Sequence, residues 1–153
     1  AVFADLDGDG DTDVVSCCEG RARSVFFHWS PVNDPQRELL PWRTEAIPAT
    51  VGKQSWMFAL PLKIDAGGID LVLGSKGVGA SIGWLQSPEN PRDAKAWRFH
   101  RWYDAGWIMS LIKNDIDGDG DQDIYITLGG AFPGDTYPNA LFENPGNANN
   151  WVT

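Results

Sequence analysis

Short apolar stretches recur along the chain, and glycines and prolines separate them. The stretches "DVVSCC", "GIDLVLGS" and "DIYITL" are rich in the β-branched and aromatic residues that strands favour. Three further stretches, "FFHWSP", "IGWLQSP" and "ALFENP", each end at a proline. The pattern predicts an all-β fold of many short strands joined by turns.

The strands repeat at a nearly constant spacing. Asp13, Asp70 and Asp123 open equivalent strands at intervals of 57 and 53 residues, and the tryptophans of "WRT", "WRF" and "WVT" recur at 55 and 54. A period of 53 to 57 residues with four short strands per unit is typical of β-propeller blades. We therefore expect three four-stranded antiparallel units, at about 1–50, 51–105 and 106–153.

The composition fits a globular domain, because 42% of the 153 residues are hydrophobic. No apolar run approaches the roughly 20 residues of a membrane span. Cys17 and Cys18 are adjacent, and a disulfide between neighbours is strained, so we expect two free thiols on a strand.

The net charge is −9, and ten negative charges lie in two loops, "DLDGDGDTD" from Asp5 and "DIDGDGDQD" from Asp115, each with five aspartates in nine residues. The rest of the chain is almost neutral and has no basic stripe, which argues against a nucleic-acid partner. Five carboxylates in one loop repel each other unless a cation neutralises them.

Both loops carry carboxylates at positions 1, 3, 5 and 9 and a glycine at position 6, the pattern of a calcium loop. Neither loop contains cysteine or histidine, which disfavours zinc, and magnesium demands a stricter octahedron. We expect two structural Ca²⁺ sites. The predicted ligands are Asp5, Asp7, Asp9 and Asp13 in the first loop and Asp115, Asp117, Asp119 and Asp123 in the second, with the backbone carbonyls of Asp11 and Asp121.

An EF-hand is excluded by two observations. Its loop needs a glutamate at position 12, where this chain has Ser16 and Ile126. Its flanks are helices, whereas the flanks here have the pattern of strands. The unit is therefore a strand, a calcium loop and a second strand.

The middle unit lacks the metal pattern. Counting back from Asp70 places Leu62, Ile64 and Ala66 at the ligand positions, with Asp65 out of phase. We expect no ion there, and we expect Asp70 to accept local backbone hydrogen bonds.

The stretches "ADLDGDGDTDVV" and "NDIDGDGDQDIYI" resemble the calcium-binding FG-GAP/VCBS repeats of bacterial secreted proteins and integrin-type propellers. The resemblance implies four-stranded blades in which the calcium loop joins the first two strands, and it implies the same aspartate ligands. Three blades leave two apolar sheet faces uncovered, so we expect further blades, about seven in total, or self-association. Sites of this kind suit a secreted, periplasmic or cell-surface location, where calcium is near millimolar.

For function, the sequence favours a recognition or scaffold module that binds carbohydrate or protein through blade-top loops. The candidate ligand-binding residues are Lys53, Trp56, His100, Arg101, Asp104 and Trp107. The alternative is part of a sugar-processing enzyme, of lyase or dehydratase type, with proton chemistry near His100.

Overall fold

The computed structural model describes residues 1–31, 39–130 and 132–144 of the chain. Those residues form three antiparallel sheets and contain no α-helix, which confirms the predicted all-β class. None of them forms a helix of the length and hydrophobicity that crossing a membrane requires.

Each sheet is a meander in which every strand pairs with the next one along the chain. The first sheet contains β1 (Val2–Ala4), β2 (Asp13–Cys18), β3 (Ser24–Trp29) and β4 (Arg43–Ala46). The second contains β5 (Ser55–Leu62), β6 (Asp70–Lys76), β7 (Ser81–Gln86) and β8 (Arg98–Asp104). The third contains β9 (Ile108–Asn114), β10 (Asp123–Leu128) and β11 (Ala140–Phe142), and the strand expected at "WVT" lies outside the described residues.

The second sheet lies between the other two, because β5 packs on the first sheet and β9 packs on β5 and β6. Strand β6 shows how both faces are covered: Leu71 and Leu73 belong to the core shared with the first sheet, and Val72 to the core shared with the third. A strand buried on both faces is a continuous apolar run, which explains "DLVL". The packing is close, since a β-carbon at Gly74 would lie 2.7 Å from Cδ1 of Ile108.

The two terminal sheets leave apolar side chains on their outer faces. Phe3 of the first sheet is 71% exposed. On the third sheet, Met109, Ile112 and Leu141 are 53%, 52% and 43% exposed. Both faces of the second sheet are instead buried, one in the core shared with the first sheet and the other in the core shared with the third.

A buried aspartate opens the second strand of each sheet and connects two other parts of that sheet. In the first sheet, Asp13 Oδ2 accepts the backbone N–H of Leu6 in the preceding loop at 3.2 Å. Its Oδ1 accepts the N–H of Ser30, just after β3, at 2.8 Å. One side chain therefore fixes the acidic loop to the far end of the third strand.

The other two sheets repeat this arrangement, which we call the aspartate staple. Asp70 accepts from Ile64 and Ser87 at 3.1 and 2.8 Å, and Asp123 accepts from Ile116 and Asn144, both at 2.8 Å. The prediction that Asp70 accepts local backbone hydrogen bonds is confirmed. In each sheet the second donor is the residue before the proline that closes "WSP", "QSP" or "ENP".

Burial raises the pKa of Asp13 and of Asp70, and the backbone hydrogen bonds oppose that rise. Neither residue is exposed to solvent. A buried carboxylate is stabilised by the donors that surround it, so the two N–H bonds are what make the charge tolerable inside the sheet.

The cysteines of β2 are both free, and burial raises the pKa of Cys17 to about 12.

We expect Asp70→Asn to lower the free energy of unfolding by about 1–3 kcal/mol, because an amide nitrogen cannot accept and one buried N–H loses its partner. Urea denaturation of wild type and variant measures the change. Asp104→Asn, at an exposed ion pair with Arg101, is the control and is expected to change stability by less than about 1 kcal/mol. Equal stability of Asp70→Asn and the wild type would contradict the role of the staple.

Candidate metal centres

The first acidic loop is organised around the carboxylate of Asp5. Asp5 Oδ1 accepts the N–H of Gly8 at 2.8 Å and of Asp9 at 3.1 Å, and Oδ2 accepts that of Gly10 at 3.0 Å. The turn needs glycine at position 6, where Gly10 has φ of 91°. The aspartate at position 1 thus shapes the loop through hydrogen bonds to the loop's own backbone.

The second loop has the same internal geometry. Asp115 accepts the N–H of Gly118 at 2.7 Å and of Gly120 at 3.1 Å. Asp117 accepts the N–H of Asp119 at 3.1 Å, as Asp7 accepts that of Asp9 at 3.3 Å in the first loop. Two separate segments with the same sequence pattern therefore adopt one backbone conformation.

Each loop brings three carboxylates together. One oxygen from each of Asp5, Asp7 and Asp13, and likewise from Asp115, Asp117 and Asp119, lies within 4.8 Å of the others. Both groups consist of oxygen donors alone, the ligands that hard cations prefer. A carboxylate oxygen that accepts one N–H keeps a lone pair for an ion, so these groups could hold a metal ion.

The remaining predicted ligands have other contacts. The amide N–H groups of Asp11 and Asp121 donate to Asp9 Oδ1 and Asp119 Oδ1 at 2.8 and 2.9 Å, and their carbonyls stay predicted ligands. Asp123 forms the aspartate staple of the third sheet, and Asp9 Oδ2 accepts a hydrogen bond from Arg92.

Arg92, from the segment between β7 and β8, lies against the first loop. Its Nε–H donates to Asp7 Oδ2, and its Nη2–H donates to Asp9 Oδ2 at 3.1 Å. A guanidinium therefore supplies positive charge at the carboxylates of the first loop. No sequence pattern indicates this contact, because Arg92 is 85 and 83 positions from its two partners.

The middle loop is one residue shorter than the other two, so the predicted equivalence of Leu62 and Ile64 to the first two ligand positions is wrong. The staple bond to the preceding loop spans seven residues in the first and third sheets but six in the second, from Ile64 to Asp70. Lys63 and Asp65 therefore correspond to Asp5 and Asp7, rather than Leu62 and Ile64. A lysine stands at the first ligand position, and Asp65 accepts the N–H of Gly67 at 2.7 Å and the amide of Gln86 at 3.0 Å.

Trp56, a candidate ligand-binding residue, belongs to the core. Its ring is 1% exposed and packs edge-on against Phe99, with centroids 5.1 Å apart. Its indole N–H donates to the carbonyl of Thr50 at 3.0 Å. The ring has no face open to a ligand, so the interpretation of Trp56 as a binding surface is wrong.

Lys53 and Trp107 lie just before the first strands of the second and third sheets. Lys53 is exposed, and its carbonyl accepts from Arg23 Nη2 at 3.2 Å. The ammonium of Lys76 covers the Trp107 ring at 4.5 Å from its centroid. The Trp107 ring thus packs against a neighbouring side chain within the molecule.

The remaining candidates, His100, Arg101 and Asp104, lie on β8 and have separate partners. His100 Nε2 lies 3.1 Å from Gln86 Oε1, and the His100 ring packs on Trp84 with centroids 5.0 Å apart. Arg101 and Asp104 form an exposed ion pair at 2.6 Å. Among the described residues no carboxylate is hydrogen-bonded to His100, so the acid–base group proposed from the sequence is not assembled there.

Comparisons with protein-family models, with curated proteins and with solved structures give no match for this chain. The assignment of the loops therefore depends on the geometry of their own residues.

We expect Trp56→Ala to lower the free energy of unfolding by about 3–5 kcal/mol, because it opens a large cavity between two sheets. Trp42→Ala, at a ring that is 44% exposed, is the matched control and is expected to cost much less. Chemical denaturation compares the two. A near-neutral Trp56→Ala variant would contradict the core position of this ring.

Proposed function

We propose that this chain is a calcium-binding β-repeat module in which each acidic loop binds one structural Ca²⁺. The observation that carries the proposal is that the aspartate at position 1 organises the turn in both loops and that three carboxylate oxygens lie together in each, from positions 1, 3 and 9 in the first loop and from positions 1, 3 and 5 in the second. Three carboxylates this close repel each other unless a cation neutralises them.

The chemistry of the donors favours calcium over other ions. The two groups offer oxygen alone, on glycine-containing loops with several carboxylates. Calcium accepts six to eight oxygens in irregular geometry, whereas magnesium needs a tighter octahedron and zinc prefers nitrogen and sulfur.

The role of the ion follows from where the loops lie. Each loop joins the first two strands of its sheet and is tied at its end by the aspartate staple. An ion would cancel the repulsion among the carboxylates and hold the two strands in register, which stabilises the folded state. Single-loop sites of this kind fill where calcium is near millimolar, so we infer a secreted or cell-surface protein.

We further propose that the three sheets are blades of a larger β-propeller, as the FG-GAP/VCBS resemblance implies. The support is the stacking of the sheets and the apolar outer faces of the two terminal ones. Further sheets or a second copy of the chain would bury these faces. Binding of carbohydrate or protein, and the sugar-processing alternative, stay predictions.

We expect EDTA to lower the melting temperature of the calcium-loaded protein by roughly 10–20 °C, since two sites at a hundredfold excess over Kd contribute about 2.7 kcal/mol each. Differential scanning calorimetry with calcium, magnesium or EDTA measures this, and calcium is expected to restore stability better than magnesium. An identical melting curve in all three conditions would refute the calcium proposal.

We expect the chain to self-associate through its outer faces, and Ile112→Glu to reduce the association, because a buried charge is costly there. Light scattering at several protein concentrations gives the molar mass. Val78→Glu, at an exposed turn position, adds the same charge elsewhere and is expected to leave the mass unchanged. A wild-type protein that stays monomeric at all concentrations would contradict this account of the faces.

A further inference from the structure

Arg92 connects two sheets through a charge. It belongs to the segment that follows β7 in the second sheet, and it binds Asp7 and Asp9 in the acidic loop of the first sheet. The side chains of Asp7 and Asp9 are only 8% and 17% exposed. An ion pair shielded to this degree is stronger than a pair on the open surface.

The backbone around Arg92 is held in place by its own contacts. The N–H of Arg92 donates to Asn90 Oδ1 at 3.2 Å, and the carbonyl of Pro91 accepts the indole N–H of buried Trp97 at 2.8 Å. The guanidinium also lies over the ring of Trp29, 5.1 Å from its centroid. Its position at the loop is therefore fixed by packing as well as by charge.

The second acidic loop differs on this point. Among the described residues no lysine or arginine forms an ion pair with Asp115, Asp117 or Asp119, and Asp117 and Asp119 are exposed. The two loops thus share a backbone conformation, but a guanidinium offsets the negative charge in the first loop only.

Building on the proposed calcium function, we propose that Arg92 is a built-in counter-cation that weakens metal binding at the first loop, so that the second loop fills first. Asp7 lies in the three-oxygen group of the first loop, and Arg92 already binds one of its oxygens. A divalent ion must share that carboxylate with the guanidinium or displace it, and in both cases the two cations repel each other.

A displaced Arg92 would also give up the charged contact between the two sheets. Metal binding at the first loop is therefore coupled to the position of the segment between β7 and β8, whereas binding at the second loop is independent of it. In this account Arg92 sets the order of filling and is not itself a metal ligand.

The test is a calcium titration followed by NMR at the amides of Gly10 and Gly120. Each amide donates to the position-1 aspartate of its own loop and so reports on that site alone. In the wild type we expect the Gly120 midpoint at about tenfold lower calcium than the Gly10 midpoint. In Arg92→Gln we expect the Gly10 midpoint to fall about tenfold and the Gly120 midpoint to change less than about twofold.

Arg98→Gln removes the same charge from an exposed position on β8 and is the control, with both midpoints expected to be unchanged. Arg92→Lys keeps the charge but lacks the planar guanidinium whose Nε–H and Nη2–H reach Asp7 and Asp9, so its Gly10 midpoint is expected to lie between those of wild type and Arg92→Gln. This second variant keeps the test valid if Arg92→Gln folds poorly.

A Gly10 midpoint that is the same in the wild type and in both Arg92 variants would overturn the role of Arg92 and leave the calcium proposal intact. Absence of any calcium-dependent shift at either glycine, in every variant, would overturn both proposals together.

Discussion

The buried aspartate at the start of the second strand is the contact on which each sheet depends. Its two oxygens accept one N–H from the preceding loop and one from the end of the third strand, and the pattern recurs at Asp13, Asp70 and Asp123. Because an unpaired buried charge is costly, the carboxylate and its two donors hold each other in place. The loop between the first two strands is thereby fixed at one end, whether or not it carries further aspartates.

On this common base the three loops differ in charge. In the first loop, Arg92 forms ion pairs with two of the carboxylates. In the second loop, the three grouped carboxylates form no ion pair with any described lysine or arginine. The middle loop has Lys63 at the first ligand position. The middle loop thus has an exposed lysine where the other two loops have their first aspartate. The loops therefore differ in charge and the middle loop also in length, while an aspartate staple anchors all three.

Much of this could be predicted from the sequence because the signals are local or periodic. The apolar stretches predicted the strands, the repeat spacing related Asp70 to Asp13 and Asp123, and the aspartate spacing predicted the loops. The one-residue deletion in the middle loop was missed, since an ungapped count cannot reveal it. The contact of Arg92 could not be predicted, because it depends on how two sheets stack. The burial of Trp56 was predicted wrongly for the same reason, since the stacking of the sheets decides whether a side chain on a strand is buried.

The central claim is that the two aspartate-rich loops, and not the shorter middle loop, each bind one calcium ion. Native mass spectrometry in calcium measures this directly on the wild type and on Asp7→Ala, Asp117→Ala and Asp65→Ala, because alanine removes the oxygen donor that asparagine would keep. The account predicts two ions for the wild type, one for each of the first two variants and two for Asp65→Ala. A wild type with no bound calcium, or the loss of an ion in Asp65→Ala, would contradict it.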